Sequence, residues 1–397
     1  MKRDEIKRYD VFCGIDVGKD EHCAVVLSSN GAKLLFRKVA QSEVELKTLF
    51  ADVSALGHAL VVVDQYAGFG ALVVTCAHNA GLDIAHIPPK RFAQIAEIEG
   101  EGKTDALDAH TLANIPLEMP RRIDFVAEIK EEVEQARALI RYRCDLVGER
   151  TKTYNRVHDA LNRCCPPLEQ ALTGSALHTR LALTLLSHFG PIGLRCARKC
   201  DVVRWVRNQK GLGQAAEQKA LELHATARLQ TISLPAASIH DQIIKAEATR
   251  IIELEERDEE ISEQIAKLCS DIPDVENLRT MSGIGKVFSA TIALEIGDIS
   301  RFDSASKLAA YSGVGKCPKE SGKKKGKKQR KNYNRTLNTA LFESARIAIR
   351  RSGPDRDYFE KKLAESKNVH QALHALVRKR VSIIYAMLVK GEAYQAA

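Results

Sequence analysis

The stretch VFCGIDVGKDEHCAVVL, residues 11–27, determines the fold predicted for this chain. In its first apolar run, Val11, Cys13, Ile15 and Val17 alternate with Phe12, Gly14 and Asp16. A second apolar run at 23–27 follows a short polar break. Such a pattern is typical of two hydrophobic strands that pair with each other. Asp16 is the one acid near the end of the first strand, between Gly14 and Gly18. Because glycine lacks a Cβ, these positions predict room for a phosphate or a metal ion at the backbone.

The residues that follow extend this pattern into a complete domain. The predicted elements are a hairpin turn at Ser29-Asn30-Gly31, a strand at 34–39, a helix with Ser42 and Glu45 as its capping box, a strand at 59–63 ending at Asp64, a helix at 71–80 closed by Gly81, and a strand at 82–87 closed by Pro88 and Pro89. Three hairpin-linked strands, then helix, strand, helix and strand, form the order of the ribonuclease-H-like fold. We therefore predict an α/β, ribonuclease-H-like domain at residues 1–125.

A second pair of acids, Asp105 and Asp108, lies in the segment KTDALDA at 103–109, where a helix is predicted to begin. Residues three apart share a helix face, and two like charges there repel unless a cation lies between them. Alternatively, Thr104 caps the helix and both acids complement the positive end of its dipole. The pair taken alone favours this second interpretation.

Residues 126–270 have the composition of long charged helices. Apolar residues recur at helical spacing over 127–161, and 242–268 fits heptads in which six of eight a and d positions are apolar. The a positions are Ile244, Ile251, Asp258 and Ile265, and the d positions are Glu247, Leu254, Ile261 and Leu268. This predicts a coiled coil or a long antiparallel helix pair, and also an oligomer contact. Between the two helices, the insert (residues 166–240) contains the single tryptophan, Trp205, and a break at Gly211 and Gly213. The sequence predicts no role for this insert.

Residues 271–397 form the predicted C-terminal domain, which is mainly helical and ends with helices at 335–351 and 370–389. Its Ser282-Gly283-Ile284-Gly285 turn precedes a small-residue helix and resembles the hairpin of helix-hairpin-helix modules, whose backbone amides contact a DNA phosphate. On that interpretation Gly283, Gly285 and Lys286 bind nucleic acid. An ordinary tight turn between helices is the alternative.

The net charge of +9 on 397 residues is concentrated in one segment. Residues 316–335, predicted to be a basic loop, contain ten basic residues and one acid, so the rest of the chain has 50 basic and 50 acidic residues. Such concentrated charge binds nucleic acid by releasing counterions, although a merely solvated loop is the simpler interpretation. The basic residues predicted to contact nucleic acid here are Lys316, Lys319, Lys323, Lys324, Lys325, Lys327, Lys328, Arg330, Lys331 and Arg335.

The composition argues against several other classes of protein. No apolar run approaches the roughly 20 residues that span a bilayer, and residues 1–10 mix charges of both signs. Neither a membrane partner nor a secretory signal is therefore expected. Ten scattered cysteines predict reduced thiols of a cytoplasmic protein rather than disulfides.

Four acids fall on the predicted ribonuclease-H-like frame. Asp16 lies on the first strand, Asp64 at the end of the fourth, and Asp105 and Asp108 on the following helix. Grouped carboxylates of this kind would hold two divalent ions about 4 Å apart, which clamp the attacking and leaving oxygens of a phosphodiester. Hard oxygen ligands suit Mg²⁺ or Mn²⁺. The same four residues are thus the candidate metal ligands and candidate catalytic residues.

The chain resembles the DEDD transposases of the insertion-sequence one-ten family, which includes the Piv pilin-gene invertase. The resemblance rests on GIDVGKDEHCAVVL, VVVDQYAGFG, KTDALDAHTLA, MSGIGKVFSATIALEIGDISRFDSASKLAAYSGVGKCPKESGK and NRTLNTALFESA, around residues 10–165 and 270–350. Asp64 stands where the family usually has Glu, and Ser282 stands where it usually has Pro. The insert lies outside the matched regions.

This resemblance implies a RuvC-like first domain, a coiled coil and a C-terminal transposase domain. By motif matching, Asp16, Asp64, Asp105 and Asp108 take the acidic positions and Ser321 takes the position of a nucleophilic serine. The family further implies a transient phosphoserine link to DNA, guidance by a bridge RNA, a homodimer or tetramer, and action at the bacterial nucleoid. The implied activity is that of a DNA transposase or site-specific recombinase.

Three other functions stay open from the residues alone. A Holliday-junction or structure-specific RuvC-like endonuclease would need the four acids and no serine. A sugar-kinase or actin-like ATPase would use GIDVG at 14–18 as a phosphate loop, but no convincing Asp-x-Gly-Gly-type segment follows it. A non-catalytic nucleic-acid-binding protein would bind without the acids or a metal.

Overall fold

The structure, a computed structural model, describes residues 6–99, 104–126, 131–209, 212, 214–321, 324–329 and 332–395. The chain divides into two compact units, Met1–Lys130 and Glu131–Ala397. The predicted break at Gly211 and Gly213 lies outside the described residues, as do Lys323, Arg330 and Lys331. The further division of the second unit at residue 270 stays a prediction.

The first unit contains a six-stranded mixed sheet in the order β3-β2-β1-β4-β5-β6. Its strands are β1 (Val11–Asp16), β2 (Glu21–Ser28), β3 (Lys33–Ala40), β4 (Ala59–Val63), β5 (Asp83–His86) and β6 (Asp124–Phe125). β1 pairs antiparallel with β2 and parallel with β4, while β4 pairs parallel with β5. The five strands predicted from hydrophobic patterning are confirmed, and so is the hairpin turn at 29–31, which joins β2 to β3 with Gly31 at φ of 84°.

Helices cover both faces of this sheet. The helices are α1 (Glu43–Ala55), α2 (Gly70–Asn79), α3 (Pro89–Glu99) and α4 (Asp105–Glu118). One core joins β1 residues such as Val11, Cys13 and Ile15 to α1 and α2. The other face packs Phe12 against α3 and α4, because successive side chains of a strand point to opposite faces.

One local prediction in this unit, the capping box of α1, is wrong, and another, the end of β5 before Pro88 and Pro89, is confirmed. Ser42 is the N-cap of α1, but its side chain makes no capping hydrogen bond. The Glu45 carboxylate instead accepts from the Ala40 amide at 2.8 Å, so the capping box does not form. Pro89 does not only end β5, since it is the first residue of α3, a position where the missing amide hydrogen costs nothing.

The glycines beside Asp16 also have another role than the one predicted. A Cβ on Gly14 would lie 2.2 Å from the Ala109 carbonyl oxygen of α4, and one on Gly18 would lie 2.1 Å from the Glu21 carbonyl oxygen. The chain's own backbone therefore occupies the space that the sequence predicted for a ligand. Gly14 allows α4 to pack directly on β1.

The second unit is built on two long helices, α5 (Glu131–Cys164) and α11 (Ala237–Leu268). They are antiparallel, because Arg143 pairs with Asp258 at 2.7 Å while Arg156 pairs with Glu247 at 3.1 Å. The long antiparallel pair predicted from the heptads is confirmed, while the coiled coil and the oligomer contact stay predictions. Ile244, Ile251 and Ile265, at predicted a positions, are fully buried.

The insert folds into five short helices. They are α6 (Pro166–Ala171), α7 (Arg180–His188), α8 (Gly190–Cys196), α9 (Lys199–Arg207) and α10 (Gln214–Arg228). Their leucines and valines form one core with the C-terminal half of α5 and the N-terminal half of α11. The insert is therefore an integral part of the second unit.

The rest of this unit is a helical core with a small hairpin. Its helices are α12 (Pro273–Arg279), α13 (Lys286–Ile296), α14 (Ala305–Tyr311), α15 (Arg335–Ala348), α16 (Pro354–Ala364) and α17 (Val369–Lys390). The predicted basic loop is instead an antiparallel pair, β7 (Lys316–Ser321) and β8 (Lys324–Gln329). Helix α16 was not predicted. No helix within the described ranges is long and apolar enough to cross a membrane.

Candidate active site and nucleic-acid interface

Asp16 and Asp64 lie at the same edge of the sheet. Because β1 and β4 are parallel and Ile15 is opposite Val63, Asp16 at the end of β1 and Asp64 just after β4 occupy matching places. The Val17 amide donates to Asp64 Oδ1 at 3.3 Å, which ties the second acid to the residue next to the first. The fold thus brings together two of the four predicted acids.

Asp64 is 9% exposed. Burial raises the pKa of its carboxyl, although hydrogen bonds from the backbone of Val17 and Gln65 oppose the effect. A raised pKa means that the charged form costs free energy where it lies. A cation beside Asp64 would offset that cost.

His86 and Tyr66 border Asp64 and were missed at the sequence level. His86 Nε2 donates to the Asp64 carbonyl oxygen at 3.1 Å, and the Tyr66 ring packs edge-on against the imidazole with centroids 4.7 Å apart. Burial lowers the pKa of His86. The parallel pairing of Val63 with His86 could have revealed the first contact, but only after the register was known.

The other two acids begin helix α4. Thr104 Oγ1 accepts from the Leu107 amide at 3.3 Å, so the predicted cap is confirmed. Asp105 is exposed and Asp108 is partly buried. Burial is the main cause that raises the pKa of the Cys23 thiol, and the charges of Asp105 and Asp16 act in the same direction. Cys23, opposite Asp16 in the sheet, therefore lies within electrostatic reach of both.

The four carboxylates are not a closed metal cage as they stand. Among the described residues, no three histidine, cysteine, aspartate or glutamate side chains converge closely enough to hold a metal ion. The donor chemistry nevertheless fits, because carboxylate oxygens are the ligands that Mg²⁺ prefers. The site is best described as an open set of acids, with Asp16 and Asp64 already placed at one edge.

The Ser282–Gly285 turn joins α12 to α13. Gly283 has φ of 77°, and a Cβ on it would lie 2.2 Å from the Ser344 carbonyl oxygen of α15. This glycine is therefore required for packing whatever the turn binds. Gly285 is the N-cap residue of α13, and Gly285 and Lys286 are exposed.

A buried arginine supports the same turn and was not predicted. Arg380 on α17 is 0% exposed and donates from Nη2 to the Ser282 carbonyl oxygen at 2.8 Å. It also forms an ion pair with Asp355 at the start of α16. Only tertiary structure could have identified this residue, since an arginine in a helical pattern normally predicts a solvated face.

The basic segment and Ser321 belong to the second unit, whereas the four aspartates belong to the first. In the backbone of the hairpin, Ser321 is opposite Lys324, and Glu320 is opposite Lys325. Arg335 is exposed at the first position of α15. Pairing of β7 with β8 concentrates the lysines along a short two-stranded ribbon.

Two sequence families match this chain. Residues 13–166 match the family DEDD_Tnp_IS110, described as a transposase. Residues 275–360 match the family described as transposase IS116/IS110/IS902. The first match contains all four acids, and the second contains the Ser282–Gly285 turn, the hairpin and Ser321.

Individual proteins are also similar. The uncharacterized 43.6 kDa protein of insertion element IS110 from Streptomyces coelicolor is 31% identical over 97% of this chain and 96% of its own length. The pilin gene-inverting protein of Moraxella bovis is 28% identical over 45% of this chain and 55% of its own. The structure of T. thermophilus RuvC in complex with a Holliday junction substrate covers 30% of this chain and 100% of that chain, with 15% identity and a TM-score of 0.25. The last likeness is too distant to support an argument.

Proposed function

The chain belongs to the IS110 family of transposases, enzymes that transfer DNA strands, and from this membership we propose that it cuts and rejoins DNA with its acidic set and Ser321. The observation that supports the proposal most is the similarity to an insertion-element protein over 97% of the chain. The placement of Asp16 and Asp64 at one sheet edge supports it independently.

In this proposal Asp16, Asp64, Asp105 and Asp108 hold divalent cations, Mg²⁺ or Mn²⁺. A bound cation would polarise the scissile phosphate and stabilise the charge that develops on it. The raised pKa of Asp64 supports this role, because a cation removes the cost of its buried charge. Asp105 and Asp108 lie on the first turn of α4, the helix that packs directly on the strand ending at Asp16.

Ser321 is the proposed nucleophile. Its Oγ forms a bond to the scissile phosphorus and its proton passes to a neighbouring base. The bond from phosphorus to one DNA oxygen breaks, and that oxygen takes up the proton and leaves as a free hydroxyl. Attack by a hydroxyl of the second DNA on the phosphoserine reverses these changes and regenerates the serine. The segment around Ser321 supports the role, since its lysines would neutralise the phosphate during both steps.

Sequence recognition is proposed to come from a guide RNA rather than from the protein. Contacts to phosphates position a nucleic acid but do not read its sequence. The basic segment of 316–335, with ten basic residues, is suited to such contacts. We further propose that the active form is a homodimer or tetramer, to be measured by light scattering with and without RNA.

Trapping the covalent intermediate tests the proposal. The full chain is incubated with labelled element-end DNA, RNA transcribed from the element's flank, and Mg²⁺, and the products are separated under denaturing conditions. We expect a protease-sensitive protein–DNA adduct that mass spectrometry maps to Ser321. Ser321→Ala should abolish the adduct, while Ser270→Ala, at an exposed serine in another loop, should leave it unchanged.

Two results would contradict the serine mechanism. One is an adduct that persists in Ser321→Ala. The other is cleavage without any adduct in the wild-type protein, which would indicate hydrolysis by water, as in a junction nuclease. Omitting the RNA in a parallel reaction separates guided recognition from the chemistry, because loss of cleavage at the specific site alone would implicate the RNA.

A further inference from the structure

The insert is basic in its own right. Residues 166–240 contain nine lysines and arginines and four acids. Outside residues 316–335 the chain has no net charge, so the residues outside both that segment and the insert have a slight excess of acids. The insert is thus a second region of positive charge, separate in sequence from the β7–β8 hairpin.

Three of these basic residues line a groove. Helix α9 buries Val202 and Val206 in the core of the insert, which turns its opposite face to solvent. A groove of about 530 Å³ runs along that face and is lined by Lys199, Arg204, Arg207 and Asn208, with Leu221 of α10 beside them. Among the described residues that line it, none is acidic.

Ion pairs with Asp201 and Glu217 neutralise part of this charge, but Lys199 and the exposed end of Arg204 stay available. Asp201 is bound by Arg198 at 2.8 Å and is 3.9 Å from Arg204, whose side chain is 75% exposed. Lys199 makes no ion pair with any described residue. Arg207 is held by Glu217 through two hydrogen bonds of 2.9 and 3.0 Å, which fix the direction of its guanidinium at the groove.

We propose that this groove binds the phosphodiester backbone of a nucleic acid. Lys199 and Arg207 are separated by about 12 Å along α9, from the helical rise per residue. A duplex presents one phosphate charge per about 1.7 Å of axis, so this face meets several phosphates at once. Guanidinium and amide groups donate hydrogen bonds to phosphate oxygens, and the groove offers both kinds. The inference takes from the proposed function only that the partner is a nucleic acid.

The test uses binding rather than catalysis, so that its outcome does not depend on the acidic set or on Ser321. The full-length double variant Lys199→Gln/Arg204→Gln keeps the Arg207–Glu217 pair. The matched control Lys219→Gln/Arg228→Gln removes two exposed basic residues of α10 that do not line the groove. Affinities for a labelled 30-base-pair DNA duplex and a labelled structured RNA are measured by fluorescence anisotropy, without Mg²⁺, across a salt series.

We expect a several-fold weaker affinity of the groove variant at about 0.15 M salt, and a slope of log K against log salt that is smaller by about two for duplex DNA. The control should retain the wild-type slope. A change with DNA alone, RNA alone or both identifies which nucleic acid occupies the groove. Equal affinities and slopes for the groove variant and the control, in both assays and with unchanged helicity, would overturn the proposal, as expected if the groove binds an acidic protein surface instead.

Discussion

The carboxyl group of Asp64 shows how a single buried acid couples folding to binding. Burial raises its pKa above that of an exposed aspartate. The stability it contributes is therefore present below the unfolded pKa and is lost as pH rises through the folded pKa. At neutral pH the metal-free protein bears the cost of the charge. A bound cation would remove this cost, and the free energy recovered would contribute to cation binding.

Asp64→Asn should therefore raise the melting temperature of the metal-free protein at neutral pH. The amide oxygen can still accept from the Val17 amide, so the local backbone is preserved. The difference from wild type should shrink as pH falls through the raised folded pKa of Asp64, because the wild-type carboxyl then becomes protonated as well. Differential scanning calorimetry between pH 4 and 8 measures both trends.

The response to Mg²⁺ and the strand-transfer activity are two further measurements on this variant. Mg²⁺ should raise the melting temperature of the wild type but not that of Asp64→Asn, and strand transfer should fall on the order of a hundredfold or more. Asp83→Asn, at a partly exposed acid that pairs with Arg8, should leave the response to Mg²⁺ unchanged. A variant that is less stable than wild type at neutral pH would show that Asp64 serves packing rather than metal binding.

Arg380 is a second residue whose burial determines how much its loss destabilises the protein. Its side chain is 0% exposed and pairs with Asp355, whose side chain is 13% exposed. Arg380→Ala leaves that carboxylate without its partner and should cost about 3–5 kcal/mol in the free energy of unfolding. Arg346→Ala breaks an exposed pair with Glu343 and should cost less than about 1 kcal/mol. Similar denaturant midpoints for the two variants would contradict this account.

Elements of the sheet were predictable because their burial is written in the sequence. Continuous or alternating apolar runs predicted β1 to β5, since runs of only four to eight residues that are bounded by turn residues favour strands over helices. The two-residue strand β6 is too short to leave a pattern. Six of the twelve residues in the strands of the basic hairpin are lysines, and Pro318 and Gly326 are also among them. All three residue types have low strand propensity, so a loop was the natural expectation.

Polar residues whose partners are distant in sequence were harder to interpret than the helices that contain them. Asp258 occupies an a position of the heptads, where an apolar residue is expected. The structure supplies the reason, because Arg143 and Arg150 of α5 both reach it, at 2.7 and 3.3 Å. The candidate site shows the same division. Motifs located the acids, but His86, Arg380 and the packing role of Gly14 required the tertiary structure.

The close packing of α4 on β1 links the sheet to two of the acids. Gly14→Ala would place a Cβ 2.2 Å from the Ala109 carbonyl oxygen and 2.3 Å from the Ala113 amide nitrogen. Helix α4 must then move away, taking Asp105 and Asp108 with it. We expect a loss of stability of about 1–3 kcal/mol, as for an overpacked core, and a larger relative loss of strand transfer than of DNA binding.

A matched glycine separates this effect from a general one. Gly148 lies in helix α5, and a Cβ there would meet no atom within 4 Å. Gly148→Ala should keep full activity and gain up to about 1 kcal/mol in the free energy of unfolding. Full strand-transfer activity in a folded Gly14→Ala protein would show that the position of α4 does not matter to the chemistry.

The molecule as a whole distributes its functions between two units. The first unit contains the four acids, while the second contains Ser321, the basic hairpin and the insert. The second unit therefore has both regions of concentrated positive charge. If binding and cutting are separated in this way, substitutions in the second unit should weaken nucleic-acid binding and leave the metal-binding acids intact. Substitutions of the four acids should abolish cutting and leave the affinity for nucleic acid unchanged.

The hairpin lysines test the first half of that separation. Their joint replacement by glutamine should weaken binding of DNA and RNA and reduce the salt slope for duplex DNA by up to about five, at roughly 0.9 per phosphate contact. The six positions are Lys316, Lys319, Lys324, Lys325, Lys327 and Lys328. Replacement of the same six by arginine preserves the charge and should preserve the slope.

Sequence preference should respond differently from affinity in these variants. Phosphate contacts add the same free energy to every target, so the glutamine variant should lose affinity for matched and mismatched targets by equal factors. Competition between matched and scrambled targets, with the guide RNA present, measures the ratio directly. A ratio that collapses in the glutamine variant, but not in the arginine variant, would mean that the hairpin takes part in choosing the target. A constant ratio leaves that choice to base pairing and confines the hairpin to holding the backbone in place.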